Sequence, residues 1–379
     1  MPTVKSIVLA FATAASAASV DSKSHAGSDV LTLGVLGDYG WTGWEPASLN
    51  FCNNVMPRLV ANNITIPREL QNDCDAGDRG NIANATAEQT ATASYIGKVC
   101  AMKNCSAIVS VGDNFYSSAI DFSTGGVNRF EEAWSTMYKG GIFNNTRWYQ
   151  TLGNHDIVKG QAGVDFQTKI APPVRQPMGL PYYTYDLAGK DWKATFAVVD
   201  SDCFINKYQE DTSVYQNEYT LSCYKDKQVQ VDFVEQAFAK SDAQWKFLQI
   251  HHGYMSSSTN FTELAPFVEI VEKYKGIVVN GHDHCLAHYY SNNTNFILTG
   301  GSGYAEPGDC NYGVALGPYA KFLGANSQGA GNGFVTMDIS KKSVNVEYYA
   351  RDMSYEGGDL YPVKNQMKPI YSFMVDARK

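Results

Sequence analysis

Histidine and basic residues are scarce in this sequence of 379 residues. It has seven histidines, and its 30 lysine and arginine residues are outnumbered by 38 aspartate and glutamate residues, which gives a net charge of −8. Basic residues form no run, so duplex DNA and RNA are not expected partners. After the N-terminus, apolar residues form no run long enough to span a bilayer, so we expect no membrane anchor.

The sequence also has no C-x-x-C motif, which argues against zinc ribbons and thioredoxin-type redox chemistry. Internal repeats, low-complexity tracts and proline-rich linkers are absent as well. With 44% hydrophobic residues, the chain has enough apolar side chains for a large core. We therefore predict one catalytic domain over residues 28–350, a C-terminal segment, 351–379, packed on that domain, and a monomeric protein.

The N-terminal residues have the pattern of a secretory signal peptide. Lys5 provides a basic start, Ile7–Ala15 is apolar, and Ala15-Ser16-Ala17 is a small-residue cleavage site. The apolar run is well short of the ~20 residues that a membrane span requires. We predict a signal peptide over residues 1–18 and a secreted or lumenal protein.

Eight cysteines and six N-x-S/T sequons are compatible with an oxidising compartment and a glycosylated surface. Neighbouring cysteines suggest the pairs Cys100–Cys105 and Cys203–Cys223, among the roughly 105 connectivities that eight cysteines allow. The candidate glycosylation sites are Asn63, Asn84, Asn104, Asn144, Asn260 and Asn292.

Five short apolar runs each end in a polar turn, and helical patterns lie between them. The runs are Val30–Leu36, Ala107–Val111, Trp148–Leu152, Phe247–Ile250 and Gly276–Val279. The helical patterns cover Thr86–Met102, Asn128–Tyr138, Val229–Lys240 and Glu263–Tyr274. This alternation predicts an α/β fold, in which the polar turns gather beyond the carboxyl ends of the strands.

Six of the seven histidines lie in three short segments that include these turns. Together with carboxylates and an amide, imidazoles are the ligands that iron, manganese and zinc prefer. In an extended segment His282 and His284 point to one side, whereas the adjacent His251 and His252 face opposite ways, so at most one of that second pair binds a metal. His288 either supports a ligand or lies at the surface.

The turns, in order, resemble the five signature blocks of the purple acid phosphatases, a branch of the binuclear metallophosphoesterases. The blocks are GDYG (37–40), GDNFY (112–116), GNHD (153–156), LQIH (248–251) and GHDH (281–284). The resemblance covers residues 30–350 and is greatest to the small, mammalian-type, tartrate-resistant members. It implies a β-sandwich of two mixed sheets flanked by helices, a four-layer α/β/β/α arrangement.

The resemblance also implies a secreted acid phosphatase that hydrolyses phosphate monoesters, small or protein-borne, by attack of a metal-activated hydroxide. Two metal positions share the bridging carboxylate of Asp113. The first, which is Fe(III) in this family, is completed by Asp38, Tyr116 and His284. The second holds divalent iron, zinc or manganese and is bound by Asn154, His251 and His282.

A tyrosine ligand is consistent with ferric iron, because a phenol with an ordinary pKa of about 10 needs a strong Lewis acid to bind as phenolate. The resemblance assigns His155 as the proton donor to the leaving group. Family members usually have a further histidine after the fourth block, but Met255–Thr262 contains none. His252 and Asp156 are candidates for contacting substrate or supporting a ligand.

Two other functions fit the same fold. The first is a phosphodiesterase of this superfamily, which Tyr116 disfavours because relatives without the tyrosine use two divalent metals. The second is a catalytically inactive scaffold, which the complete set of ligand residues disfavours. A serine hydrolase is rejected, since GGSGY (300–304) lacks the last glycine of G-x-S-x-G. Residues 203–227 are predicted to be a long loop, and the resemblance implies that it gates the site.

Overall fold

Two mixed β-sheets packed face to face form the centre of the protein. The computed structural model describes residues 28–40, 78–116, 119–121, 126, 130–135, 137–144, 146–170, 179–255, 261–303, 319–324, 330–352 and 367–377. The predicted signal peptide, 1–18, and the candidate sequons at Asn63 and Asn260 lie outside these residues. For Asn84 the described residues give the helical backbone alone.

The first sheet is built from strands at both ends of the described chain. Its strands are β1 (Val30–Leu36), β2 (Ala107–Ser110), β3 (Arg147–Gln150), β11 (Ala330–Ser340), β12 (Ser343–Asp352) and β13 (Tyr371–Asp376). Their order across the sheet is β13-β12-β11-β1-β2-β3. The strands β1, β2 and β3 run parallel, whereas β11, β12 and β13 join β1 by antiparallel pairing.

The second sheet comes from the middle of the chain. Its strands are β4 (Tyr183–Ala188), β5 (Lys193–Val198), β6 (Trp245–Gln249), β7 (Ile277–Asn280), β8 (Leu286–Ser291), β9 (Thr294–Thr299) and β10 (Ala320–Gly324). Their order is β10-β8-β9-β7-β6-β5-β4. The strands β5, β6, β7 and β9 are parallel at the centre, with antiparallel strands at both edges.

Helices cover the outer faces of both sheets. They are α1 (Asp78–Lys103), α2 (Gly160–Asp165), α3 (Glu218–Lys225), α4 (Gln228–Lys240) and α5 (Ala265–Lys273). Short helical turns occupy Glu131–Ser135, Gly141–Asn144, Phe166–Ile170, Ser201–Cys203, Asn206–Gln209 and Thr262–Leu264. In the described residues, no helix has both the length and the apolar character to cross a membrane.

The buried apolar side chains form three layers of core. Between the sheets, Leu33 and Val35 of β1 pack with Phe247 of β6 and other inward-facing residues. Outside the first sheet, Ile96 of α1 belongs to a second cluster. Outside the second sheet, Phe238 of α4 belongs to a third. These layers confirm the expected four-layer arrangement of two mixed sheets flanked by helices.

Most predicted elements are present, with shifted ends. The helix expected over Asn128–Tyr138 is helical at Phe130 and at Glu131–Ser135, while residues 128, 129 and 136 of that range are not described. The prediction of a long loop over residues 203–227 is wrong, because these residues form the turn Asn206–Gln209 and the helix α3. The C-terminal segment, expected to pack on the domain, provides the edge strand β13, which pairs with β12.

Both predicted cysteine pairs are confirmed as disulfides. Cys100–Cys105 joins the end of α1 to the start of β2, and Cys203–Cys223 ties α3 to the turn that follows β5. The sequons whose side chains are described, Asn104, Asn144 and Asn292, are all exposed at turns or helix ends. Their exposure is compatible with glycosylation, which stays a prediction.

Candidate metal centre

The candidate ligands follow the carboxyl ends of parallel strands in both sheets. In the first sheet, Asp38 follows β1, Asp113 follows β2 and Asn154 follows β3. In the second sheet, His251 follows β6, and His282 and His284 follow β7. Because the two sheets face each other, these turns meet at one end of the sandwich, as the sequence predicted.

The hydroxyl of Tyr116 is the meeting point of the first group. It lies 3.0 Å from Oδ1 of Asp38, 2.9 Å from Oδ2 of Asp113 and 3.0 Å from Nε2 of His284. Asp38 and Tyr116 are fully buried, and the side chain of Asp113 is 1% exposed. Two carboxylates, a phenol and an imidazole therefore direct their ligand atoms at one point.

The amide oxygen of Asn154 is the meeting point of the second group. It lies 3.1 Å from Nε2 of His251 and 3.0 Å from Nδ1 of His282. The other ring nitrogen of His251, Nδ1, donates to the carbonyl of Val111 at 2.8 Å. This hydrogen bond directs Nε2 of His251 into the site.

Asp113 lies between the two groups. Its Oδ2 atom, next to the Tyr116 hydroxyl, is also 3.4 Å from Nε2 of His251. Its Oδ1 atom accepts the backbone N–H of His155 at 2.8 Å. One carboxylate is thus shared by both groups, which is the arrangement that a bridging ligand requires.

The electrostatics of the site favour a cation. Burial and the neighbouring Asp113 raise the pKa of Tyr116, and burial together with Asp113 raises the pKa of Asp38. Burial acts to lower the pKa of His251, but the charges of Asp113 and Asp38 outweigh it and raise that pKa to about 10. The carboxylates therefore stabilise a positive charge at the position where the second group of ligand atoms converges.

The pKa values of the other two imidazoles, those of His282 and His284, are lowered. Burial lowers the pKa of His282 to about 3 and that of His284 to about 4, in both cases with like-charged histidines as a further cause. Both rings are therefore neutral near neutral pH, which is the form that binds metals. This chemistry of the donors fits a binuclear centre with a hard, carboxylate- and phenol-bound first position and a second position bound by two imidazoles and an amide.

The backbone at the site is strained. Asp38, Asp113 and His282 have φ values of 60°, 50° and 76°, in the left-handed region that non-glycine residues seldom adopt. Such conformations cost about 1–3 kcal/mol each and are found mainly at functional sites. Gly112 has a φ of 102°, and a Cβ atom there would lie 2.5 Å from Nδ1 of His251. The glycine therefore allows two ligand turns to approach each other.

Asp156 supports the turns that carry the ligands. Its carboxylate accepts the backbone N–H groups of Gly153, Asn114 and Phe115 at 2.9–3.1 Å, and the side chain of Gln167 at 3.2 Å. Burial and Asp113 raise its pKa to about 7. This residue, predicted to contact substrate or support a ligand, is placed in the supporting position.

His155 lies beside the site and is partly exposed. Its ring is 4.5 Å from the ring of Tyr116 and 6.0 Å from that of Tyr215, centroid to centroid. Its backbone N–H holds Asp113, as described above. The structure thus brings His155 to the rim of the ligand cluster, where a proton donor is expected.

His252 lies beside the second group of ligands, with its ring 4.9 Å from that of His251 and 4.3 Å from that of His282, centroid to centroid, so the expectation that the two adjacent histidines face opposite ways was wrong. Its Nδ1 lies 2.8 Å from the hydroxyl of Ser201, and its Nε2 lies 2.8 Å from the hydroxyl of Tyr208. Burial is the main cause of its lowered pKa. Since the ring is fully buried and both nitrogens have protein partners, His252 does not replace the family's missing histidine as a substrate contact.

His288 is neither near the ligands nor at the surface, so both interpretations of it were wrong. It is 4% exposed, with Nδ1 2.9 Å from the hydroxyl of Tyr371 and Nε2 2.9 Å from Oδ1 of Asn295. Its ring stacks on Phe373 of β13 at 3.6 Å. This histidine joins the C-terminal strand to the second sheet.

Two tyrosines that no sequence motif identifies reach the site from residues 201–227. The hydroxyl of Tyr208 lies 2.8 Å from Nε2 of His252, and the ring of Tyr215 lies 6.0 Å from that of His155, centroid to centroid. The two tyrosine rings pack together with centroids 4.6 Å apart. The only signal in the sequence was the high tyrosine content of this segment.

Comparison with known proteins gives consistent matches. The model of the calcineurin-like phosphoesterase family matches residues 85–286. Purple acid phosphatase 7 of Arabidopsis thaliana is 26% identical over 237 residues, which cover 58% of this chain and 69% of that protein. Tartrate-resistant acid phosphatase type 5 of Oryctolagus cuniculus is 25% identical over 309 residues, which cover 76% of this chain and 88% of that protein.

A similar fold is found among solved structures. The structure described as "GAP50 the anchor in the inner membrane complex of Plasmodium" has a TM-score of 0.60 and 14% sequence identity, and the match covers 93% of this chain and 90% of that one. At this identity the likeness concerns the fold alone.

Proposed function

Because the chain belongs to the calcineurin-like phosphoesterase family, we propose that it is a secreted or lumenal acid phosphatase that hydrolyses phosphate monoesters at an Fe(III)–M(II) centre. The resemblance to purple acid phosphatases is confirmed by relatives that are 25–26% identical. A phosphoesterase that uses a binuclear metal centre is therefore supported. The iron, the monoester preference and the secretion are the proposed refinements.

The observation that carries this proposal is the position of Asp113 between two groups of ligand atoms. We assign Asp38, Tyr116 and His284 to one metal with Asp113, and Asn154, His251 and His282 to the other. When bound, two such cations clamp a phosphoryl group and lower the pKa of water into the neutral range. The assignment of ferric iron to the first position rests on the phenol of Tyr116, which is buried between two carboxylates.

The protein's own residues account for orientation and for proton transfer. Asp113 is held by the backbone N–H of His155, so the shared carboxylate keeps one orientation. The partly exposed ring of His155 can exchange protons with solvent and give one to the leaving alkoxide.

The decisive experiment measures metal content, visible spectrum and hydrolysis on the same purified protein. We expect iron with a second metal, a phenolate-to-iron absorption band, and faster hydrolysis of an aryl phosphate monoester than of the matching diester at mildly acidic pH. A preference for the diester would support a phosphodiesterase of the same family. An iron-free, colourless protein that hydrolyses neither ester would contradict the proposal.

A further inference from the structure

A tyrosine from outside the five ligand turns contacts the residue that we propose as the proton donor. The ring of His155 lies 4.5 Å from that of Tyr116 and 6.0 Å from that of Tyr215, centroid to centroid. The planes of the His155 and Tyr215 rings are 81° apart, so these two rings meet edge to face. Edge-to-face pairs with centroids about 4.5–7 Å apart attract each other. Tyr215 therefore packs on the ring of His155.

The backbone of His155 is fixed, but its ring needs a further constraint. The backbone N–H donates to Oδ1 of Asp113 at 2.8 Å, which fixes the start of the side chain. The ring itself is partly exposed, and exposed side chains change rotamer readily. A proton donor must lie within hydrogen-bonding distance of the leaving oxygen, so a displaced ring cannot act. The rings that pack on His155 therefore determine how often it is in position.

Tyr215 can restrict the ring of His155 because its own backbone is fixed to the same turn. The carbonyl of Tyr215 accepts the hydroxyl of Thr220 at 2.9 Å and the side-chain amide of Asn217 at 3.2 Å. The same amide nitrogen donates to the carbonyl of Ile157, two residues after His155, at 2.9 Å. One asparagine thus joins the segment that carries Tyr215 to the turn that carries His155.

The ring of Tyr215 is also supported by buried side chains. It packs on the ring of Tyr208 with centroids 4.6 Å apart. The hydroxyl of Tyr208 lies 2.8 Å from Nε2 of His252, and both of these residues are buried. The disulfide Cys203–Cys223 closes the segment around both tyrosines. Tyr215 is therefore a firm support for the ring that packs on it.

We propose that Tyr215 is a positioning residue for the proton donor. Its ring keeps the ring of His155 beside Tyr116, at the first metal position, where the leaving oxygen of a phosphate monoester can reach it. This inference rests on the proposed function, because it takes His155 to be the proton donor. It deepens that function by adding a residue that lies outside the five motifs.

The test compares two phosphate monoesters of similar shape that differ in their need for a proton. Phenyl phosphate releases a phenol with a pKa of about 10, whereas 4-nitrophenyl phosphate releases a much weaker base. Tyr215→Leu removes the ring and should lower kcat/KM for phenyl phosphate by about 2–10-fold, and for 4-nitrophenyl phosphate by less. Tyr215→Phe keeps the ring and should recover most of the loss.

Two controls separate positioning of His155 from a general effect on the fold. Tyr224→Leu is the matched variant, since Tyr224 lies in the same segment but its hydroxyl donates to Asn206 at 2.8 Å. Metal content is measured on every variant, because loss of metal would slow the hydrolysis of both esters equally. In a His155→Ala background, Tyr215→Leu should cause little further loss.

An equal loss for both esters would overturn the inference and leave the proposed function standing. The same conclusion would follow if Tyr215→Leu did not slow phenyl phosphate hydrolysis, or slowed it as much without the ring of His155 as with it. Wild-type protein that is loaded with iron and zinc and hydrolyses neither ester would overturn both.

Discussion

The Oδ2 atom of Asp113 lies 2.9 Å from the hydroxyl of Tyr116, three residues further along the same turn. Both side chains are buried, and the carboxylate raises the pKa of the phenol. A phenolate beside a buried carboxylate is stable only if a strongly charged cation lies between them. This pair is therefore the point at which the identity of the first metal can be tested.

Tyr116→Phe should abolish the visible absorption band of the iron-loaded protein, because the phenolate donor of the charge transfer is removed. Iron affinity should fall as well, by at least the roughly 10–100-fold that is usual when only a residue supporting a ligand is removed. Absorption spectroscopy and metal analysis measure both effects. The control is Tyr185→Phe, whose hydroxyl binds Gln249 in the core between the sheets. A band that survives in the Tyr116 variant would show that another residue binds the iron.

His155→Ala should lower kcat by about 10²–10⁴-fold, the usual contribution of a positioned proton donor. Metal content should be retained, because the variant keeps the backbone N–H that binds Asp113. Steady-state kinetics and metal analysis on the same preparation give both quantities. Loss of metal from this variant would instead assign the ring of His155 to structural support of Tyr116.

Asp156→Ala should destabilise the protein by about 3–5 kcal/mol. The substitution leaves the buried N–H groups of Gly153, Asn114 and Phe115 without their acceptor. Each unpaired N–H group costs about 1–3 kcal/mol, and relaxation of the surrounding backbone recovers part of the sum. Urea unfolding of the metal-loaded protein measures the difference. Asp165→Ala is the control, because this partly exposed carboxylate pairs with Lys169 in a surface contact worth less than about 1 kcal/mol. Similar losses for both variants would rule out this bracing role of Asp156.

The ligand turns could be predicted from the sequence because each is a local signal. A strand that ends in a turn of polar residues, in four of the five cases after a glycine, places those residues at the edge of the sheet, and the five turns of one α/β fold converge. The alternation of side chains failed for His251 and His252, whose rings lie 4.9 Å apart. Alternation holds only along an extended strand, and these two residues lie in a bend after β6.

Contacts between distant segments could not be predicted in this way. Tyr208, Tyr219 and Tyr224 lie in one short segment, yet their hydroxyls bind His252, Asp200 and Asn206. No spacing rule distinguishes these three partners, because they depend on how α3 docks on the turn after β3. A local signal accompanies β13, since Tyr371, Phe373 and Val375 alternate with more exposed residues, although no strand was predicted there.

The position of His288 predicts a loss of stability at acidic pH. Burial lowers the pKa of His288 from the ordinary value of 6.5 to about 4. The hydrogen bond with Asn295 raises this pKa, whereas the charge of nearby Lys321 lowers it further. The folded chain therefore prefers the neutral ring, whereas the unfolded chain binds a proton near pH 6.5. The stabilisation is complete above pH 6.5 and is lost as the pH falls toward 4.

His288→Gln should remove this part of the pH dependence, because glutamine does not titrate. Between pH 7 and pH 4, wild type should lose about 3 kcal/mol more stability than the variant, at about 1.36 kcal/mol per unit of pKa shift. Urea unfolding across this pH range measures the difference. Hydrogen exchange of Tyr371–Asp376 should be faster at pH 4 in wild type, since His288 stacks on Phe373 of that strand.

If both proteins lose stability equally, the protonation of His288 does not control the attachment of β13. The loss of stability would then come from other buried groups. Asp156 is not one of them, because its pKa is raised to about 7 and its protonation as the pH falls stabilises the folded chain.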